Sequence, residues 1–377
     1  MRNALLHALI LGLLGACASQ DSPGPSRAQV APVPADAVVV GPTTLERAPA
    51  SSRAPDIGIQ VFSSASTPHT GTAPAFPTVR KAETLLLPSL LARTLQAGGA
   101  FGVVRVVPDD NQRLPLLVSG EILASEPALL DLRITLRGAD ERVLFQQRYR
   151  DTANPEDYPA RTGAEPFGDL YRRVANDLHD VVAQMTEAEL TVLSRLALLR
   201  FGAGLAPASF ASYITEADDG EVTLIAYPAE DDPMLARLRR LRRQDDLFVD
   251  AVDEQYGDLL DSVGESYDLW RSYVFELENY GAAYRESAAQ RGSDARRGSF
   301  ASMQQVYATF RKVKLQEEDL RDVVSGFDGE ALDTIMEVDD GVFRLSGSVE
   351  ERYRQWRDIL TRIYRLESGL PEPAPGS

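Results

Sequence analysis

The chain has 377 residues, 44% of them hydrophobic and 25% charged, with 39 basic side chains against 56 acidic ones and a formal net charge of −17. That charge excludes a broad nucleic-acid face, which needs a basic surface to neutralise phosphate, and it disfavours adhesion to anionic lipid over a wide area. A single cysteine excludes an intrachain disulfide and a cysteine zinc cluster, and the N-terminal processing read below, which leaves no free thiol, removes cysteine–histidine catalysis as well.

At the N-terminus, MRNALLHALILGLLGA carries one basic residue, Arg2, followed by an apolar run that ends in small residues. This is the layout of a secretory signal, and its apolar run of about a dozen residues falls short of the roughly 20 that a membrane-spanning helix needs. Leu14-Gly15-Ala16-Cys17 resembles the lipobox of bacterial lipoproteins. The resemblance implies cleavage before Cys17 and acylation of its thiol, and Ala18 resembles the sorting pattern for release to the outer membrane. Two acyl chains anchor a protein stably where one is marginal. Beyond the signal the remaining histidines are His69, in the loop-like STPHTGTAP, and His179, on an amphipathic helix. Both read as incidental rather than as parts of a serine–histidine–acid triad.

Residues 18–55 are rich in proline, alanine and serine and lack an apolar period. They read as a tether, roughly 35 Å end to end as a coil and about 100 Å when extended. Ala37–Val40 is a short strand candidate within it. From Asp56 the pattern changes: IGIQVF (57–62) predicts a strand, and TVRKAETLLLPSLLARTLQAGG (78–99) predicts a helix closed by Gly98-Gly99. Pro88 should kink or divide that helix. VVRVV (103–107) and LPLLVSGEILA (114–124) follow as strands. In LLDLRITLR, Leu130, Leu132, Ile134 and Leu136 alternate with Asp131, Arg133, Thr135 and Arg137, which predicts one apolar and one wet face. A turn at Gly138–Glu141 leads into VLFQQRYR (143–150) and closes a hairpin. FGDLYRRVANDLHDVVAQM (167–185) repeats Leu170, Val174, Leu178 and Val181 at helical spacing. Together these elements predict an antiparallel sheet with helices on one face.

The order strand, helix, strand, three further strands and helix across residues 56–185 rests on IGIQVF, LLARTLQAGGAFGVVRVVP, LLVSGEIL and the hairpin at 130–150. It resembles the periplasmic α/β module of the TolB N-terminal domain, the curli secretion-channel subunit and the lipoprotein activator of peptidoglycan synthase. In that activator a lipid, a long linker and a globular module bring the protein from the outer membrane to a partner enzyme. The resemblance therefore implies regulation of cell-wall synthesis or accessory work in secretion. The chain departs from this pattern by carrying residues 186–377 after the module.

In the second half, LSRLALLRFGAGLAPASFASYI leads to a strand, EVTLIAY (221–227). From Pro233 to about Ala289 the apolar positions Tyr256, Leu259, Val263, Tyr267, Trp270, Val274, Leu277, Gly281 and Tyr284 step by threes and fours, with a stutter at 259–263–267. This predicts a long helix or a broken pair, reversing in QRGSDARRGS (290–299) and packing against 299–327 as a bundle core rather than a dimerising coiled coil. DTIMEV and VFRLSG flank Asp339-Asp340-Gly341, a hairpin turn. Ser348-Val349-Glu350-Glu351 is a capping box, opening a helix whose Tyr353, Trp356, Ile359, Leu360 and Ile363 share a face expected to cover that hairpin. LPEPAPGS is a disordered tail.

The fold class is thus α+β, divided into a signal (1–16), a lipid anchor and tether (17–55), an α/β module (56–190), a mainly helical region (191–327), a hairpin plus helix (328–368) and the tail (369–377). RLRRLRRQ (237–244) is the basic cluster, with Arg237, Arg239, Arg240, Arg242 and Arg243 surrounding Leu235, Leu238 and Leu241. It offers contact to a lipid phosphate or a glycan-linked acid, while the flanking EDD (230–232) and DD (245–246) point to helix-surface ion pairs. The acidic pairs at 109–110, 218–219, 231–232 and 339–340 read as turns, and EADDGE (216–221) lacks the spaced ligands of a calcium loop. The sequence contains no phosphate loop, dinucleotide fingerprint, nucleophile elbow or zinc-protease motif. The expectation is a non-catalytic outer-membrane lipoprotein that faces the periplasm and binds envelope proteins, with no cofactor, metal or nucleic acid. Two alternatives stand beside it: a carboxylate-dependent hydrolase of envelope glycan, and a protein contacting lipid or lipopolysaccharide through the arginine cluster.

Overall fold

The computed structural model describes residues 36–49, 54–65, 77–107, 114–158, 165–291, 298–329, 334–338 and 341–370. The signal, Cys17, His69, the acidic pairs at 109–110 and 339–340, and the tail beyond Leu370 lie outside the described residues.

One mixed sheet organises the N-terminal module. Its strands are β1 (Ala37–Val39), β2 (Ile57–Gln60), β3 (Ser63–Ser64), β4 (Val104–Val107), β5 (Leu116–Glu126), β6 (Leu129–Gly138) and β7 (Val143–Thr152). Their order is β1-β7-β6-β5-β2-β4, with β3 beside β5. The meander β5-β6-β7 is antiparallel, whereas β2 joins β4 and β5, and β1 joins β7, in parallel. The parallel pair β2 and β4 is connected by helix α1 (Pro77–Gly98), the crossover that such pairs require. At the β6-β7 turn Glu141 takes a positive φ of 65°, and its N–H donates to the Gly138 carbonyl at 2.9 Å.

Two expectations about this module are narrowed by the structure. Helix α1 runs through Pro88 undivided. The Thr84 carbonyl, which a proline four residues on cannot satisfy, accepts the Phe62 N–H at 3.0 Å instead, so the missing helical bond is replaced from the link between β2 and β3. The polar face of β6 is wet only in part: Arg133 and Arg137 are half-buried, while Asp131 and Thr135 are buried. Asp131 is 0% exposed, held by Arg148 at 2.8 Å and Arg150 at 3.0 Å from the neighbouring strand.

Part of the segment read as tether belongs to the body. Besides forming β1, residues 36–49 run along α2 (Gly168–Ala183). The Thr43 N–H donates to Asp169 at 2.6 Å, Arg172 donates to the Thr43 carbonyl at 2.7 Å, and Asn176 bonds both the Thr44 carbonyl and the Glu46 N–H at 2.9 Å. These partners are spaced along α2 by threes and fours, so one helix face meets an extended chain rung by rung.

The rest is α3 (Glu187–Leu205), α4 (Pro207–Phe210), β8 (Ile214–Glu216), β9 (Val222–Leu224), α5 (Pro233–Arg291), α6 (Gly298–Gly329), β10 (Thr334–Val338), β11 (Gly341–Leu345) and α7 (Val349–Glu367). Capping boxes open α3 at Thr186 and α7 at Ser348. Helix α5 is a single helix of 59 residues, about 88 Å long at the α-helical rise. Its first half buries Leu238, Leu241, Phe248, Val249, Val252 and Tyr256 in the core shared with the sheet, α2, α3 and α7. Further along, Leu259, Val263, Tyr267, Trp270 and Val274 join Val79, Ala82 and Leu86 of α1 and Val313 and Leu320 of α6 in a second core. The stepped apolar pattern is therefore an intramolecular bundle seam. Helix α5 also closes the β4 edge, because Asp253 accepts the outward Val106 N–H at 2.6 Å and Asp250 pairs with Arg105. Helix α7 touches β11, yet its Tyr353 and Trp356 rings lie on Phe248 of α5 at 5.6 and 6.0 Å. It secures the long helix as well as the hairpin. No helix among the described residues is long and apolar enough to cross a membrane.

Candidate functional site: a groove under the arginine helix

The arginine cluster occupies the opening turns of α5, and the structure separates its members. Leu235, Leu238 and Leu241 point into the core, which sends the intervening arginines outward on two sides. Arg239 and Arg242 turn towards α3 and line a groove of about 910 Å³. Its other walls are Leu190, Ser194, Arg195 and Leu198 of α3, Tyr227 and Glu230 on the approach to α5, and the segments at 54–56 and 114–115. Arg237 and Arg240 turn the opposite way and share Glu367 of α7. Arg243 is exposed.

Four of the five positive charges are matched in place. Glu230 accepts from Arg239 and lies 3.6 Å from Arg195, and the hydrogen bond from Arg239 holds its carboxyl below the usual range. Arg195 also stacks over the Tyr227 ring at 4.6 Å. Arg242 pairs with Asp246 at 3.0 Å and covers the Phe201 ring at 5.5 Å. Burial raises Asp246, with Arg242 and Arg105 opposing the shift. Anion contact through this cluster has to displace these carboxylates. The groove itself is close to neutral, with leucine side chains, one aromatic ring and exchangeable arginine–carboxylate pairs along its walls. Such a lining suits an extended polypeptide, which brings its own apolar and charged side chains, better than a compact anion.

A second polar constellation is buried where α1, the end of β5 and α5 meet. Arg271 donates to Glu83 at 3.1 Å, to Ser125 and Tyr267 at 2.6 Å and to the Glu126 carbonyl at 3.1 Å, and its guanidinium lies 4.8 Å over the Phe167 ring. Glu83 also accepts from Ser125 at 2.6 Å and Tyr267 at 2.9 Å and pairs with Arg80 at 3.0 Å. Around this hub burial pushes Asp268 up to about 7 and Tyr158 up to about 12, and it raises Glu165. Sequence reasoning missed the hub, although the signal was present. Glu83 interrupts the apolar row Val79, Ala82, Leu86 on α1, and Arg271 interrupts Tyr267, Trp270, Val274 on α5.

One group of three metal-capable donors occurs among the described residues. Glu46, His179 and Asp180 bring a ligand atom each to within 4.8 Å of one another where residues 43–48 run along α2. One imidazole and two carboxylates are ligand types that zinc accepts. His179, read as incidental, thus faces two acids.

No protein-family model matches the chain, and no curated protein matches it.

Proposed function

We propose that the chain is a non-catalytic outer-membrane lipoprotein that faces the periplasm and binds envelope proteins in cell-wall synthesis or secretion. The observation that carries the binding role is the groove between α3, the start of α5 and the sheet, lined by Arg195, Tyr227, Glu230, Arg239 and Arg242. The anchoring role rests on Leu14-Gly15-Ala16-Cys17, and the resemblance of residues 56–185 to periplasmic α/β modules supports the compartment. A photocrosslinker placed at Ser194, in the full chain expressed in a bacterial envelope, tests both parts. Capture of one defined envelope protein, lost with Cys17→Ala, supports the reading. No capture overturns the groove, and palmitate incorporation that survives Cys17→Ala overturns the anchor.

The hydrolase alternative draws on Asp268, whose carboxyl is pushed by burial to about 7, with Glu165 adding to the shift. A general acid needs a value near the working pH. Release of soluble fragments from isolated envelope glycan, abolished by Asp268→Asn and Glu165→Gln, favours this reading over the adaptor.

A further inference from the structure

The bonds that hold residues 43–46 on α2 follow the helix in order. Asp169 and Arg172 take Thr43, Asn176 takes Thr44 and Glu46, and the next helical step along that face brings up His179 and Asp180. Past Glu46 the backbone turns to α1, where the Ala48 N–H donates to the Gly98 carbonyl at 2.9 Å. Side chains continue the series on α2. A Glu46 carboxylate oxygen, a His179 ring nitrogen and an Asp180 carboxylate oxygen lie within 4.8 Å of one another.

These three groups are unmatched where their neighbours are not. Asp169 pairs with Arg172 at 2.8 Å, and Asp177 pairs with Arg173 at 2.9 Å and accepts from the Tyr149 hydroxyl at 2.8 Å. Among the described residues no hydrogen bond or ion pair reaches the side chain of Glu46, His179 or Asp180. The last turn of α2 carries no basic residue, and the helix dipole disfavours a carboxylate there. Two acids and an imidazole thus converge at a helix end that gains from positive charge.

We propose that Glu46, His179 and Asp180 bind a divalent cation of the zinc class, which staples the extended segment 43–48 to the last turns of α2. The imidazole selects metals that accept nitrogen over calcium and magnesium, which take oxygen ligands. Metal bonds of ~2.1 Å at tetrahedral angles set ligand atoms roughly 3.4 Å apart. Rotation of the exposed Glu46 and Asp180 side chains about the half-buried His179 closes the remaining gap. One ligand comes from the segment and two from the helix, so the cation binds fully only while the segment is docked. Binding and docking therefore strengthen each other. The site shares no residue with the groove under the arginine helix, and it stands whatever that groove binds.

The test uses the full chain bearing Cys17→Ala, His7→Gln and His69→Gln, which removes the thiol and leaves His179 as the only histidine. Calorimetric titration with Zn²⁺ alone is expected to show one equivalent bound, and titration with Ca²⁺ or Mg²⁺ none. His179→Gln should weaken Zn²⁺ binding at least about tenfold, and Glu46→Gln and Asp180→Asn should each weaken it as well. Amide exchange read by mass spectrometry should slow across residues 43–48 when Zn²⁺ is added, and should not respond in His179→Gln. Thermal midpoints measured without metal should be the same in all these variants, which separates loss of ligands from loss of fold. No Zn²⁺ binding, binding that survives His179→Gln, or equal uptake of Ca²⁺ overturns the proposal. Shallow uptake of several equivalents, as scattered carboxylates give, overturns it too. Binding that leaves exchange at 43–48 unchanged overturns the staple.

Discussion

The Arg271 guanidinium lies 3.1 Å from the Glu83 carboxylate, both side chains at most 2% exposed, although the two residues stand 188 positions apart in the chain. This pair and its hydrogen-bonded neighbours Ser125 and Tyr267 join α1, the sheet and the long helix at one point. Removing one partner strands the other's charge in a dry interior. Arg271→Leu or Glu83→Leu alone is expected to cost about 3–5 kcal/mol in urea unfolding, and the double substitution less than either. Equal and additive losses would show that the pair is not coupled.

Acidity should stabilise the fold between pH 8 and about 5. Burial holds Asp268 at about 7 and Asp151 at about 6, above their values in the unfolded chain. The folded state therefore binds more protons in this window, and stability falls as pH rises through it. The gain is complete once pH drops below the unfolded carboxyl value. Urea midpoints measured at constant ionic strength should rise on acidification, with Asp268→Asn flattening the part near 7 and Asp151→Asn the part near 6.

Pro88→Ala should stabilise the protein by much less than the roughly 3 kcal/mol that separates alanine from proline inside a helix. The carbonyl that the new N–H would seek, on Thr84, already accepts from Phe62 at 3.0 Å. A thermal midpoint raised by the full helical difference would contradict this exchange.

Helix α7 should be indispensable to the body. Trp356 is fully buried against Phe248, and Trp356→Ala is expected to cost about 3–5 kcal/mol. Ser348→Ala, which removes only the cap on Glu351 N–H, should cost about 0.5–2 kcal/mol in the same denaturation series.

Elements set by local pattern were legible in the sequence: the alternating apolar side of β6, the glycine close of α1, the stepped seam of α5 and the capping box at Ser348. Features that depend on who lies opposite were not. The burial of Asp131 follows from the register that sets Arg150 across from it and Arg148 diagonally from it, and neither is a property of the β6 segment alone. The segment 36–49 has no apolar period because its contacts with α2 are mostly hydrogen bonds of its own backbone, which composition does not record. Of the site residues, the arginines were found, but their division between two sides of α5 needed the packing of α3 and α7.

The grip on residues 36–49 has a mechanical meaning. A tug arriving along the leading segment reaches strand β1 at Ala37, which lies beside β7 in parallel, with the Val40 N–H bonded to Arg150 at 2.9 Å. Force applied along that strand loads its rungs and the bonds to α2 together rather than peeling them in turn. Under the proposed anchoring, the stretch nearest the tether is thus fastened like a cable spliced into a hull, and strain passes into the sheet before it can open the helices that carry the groove.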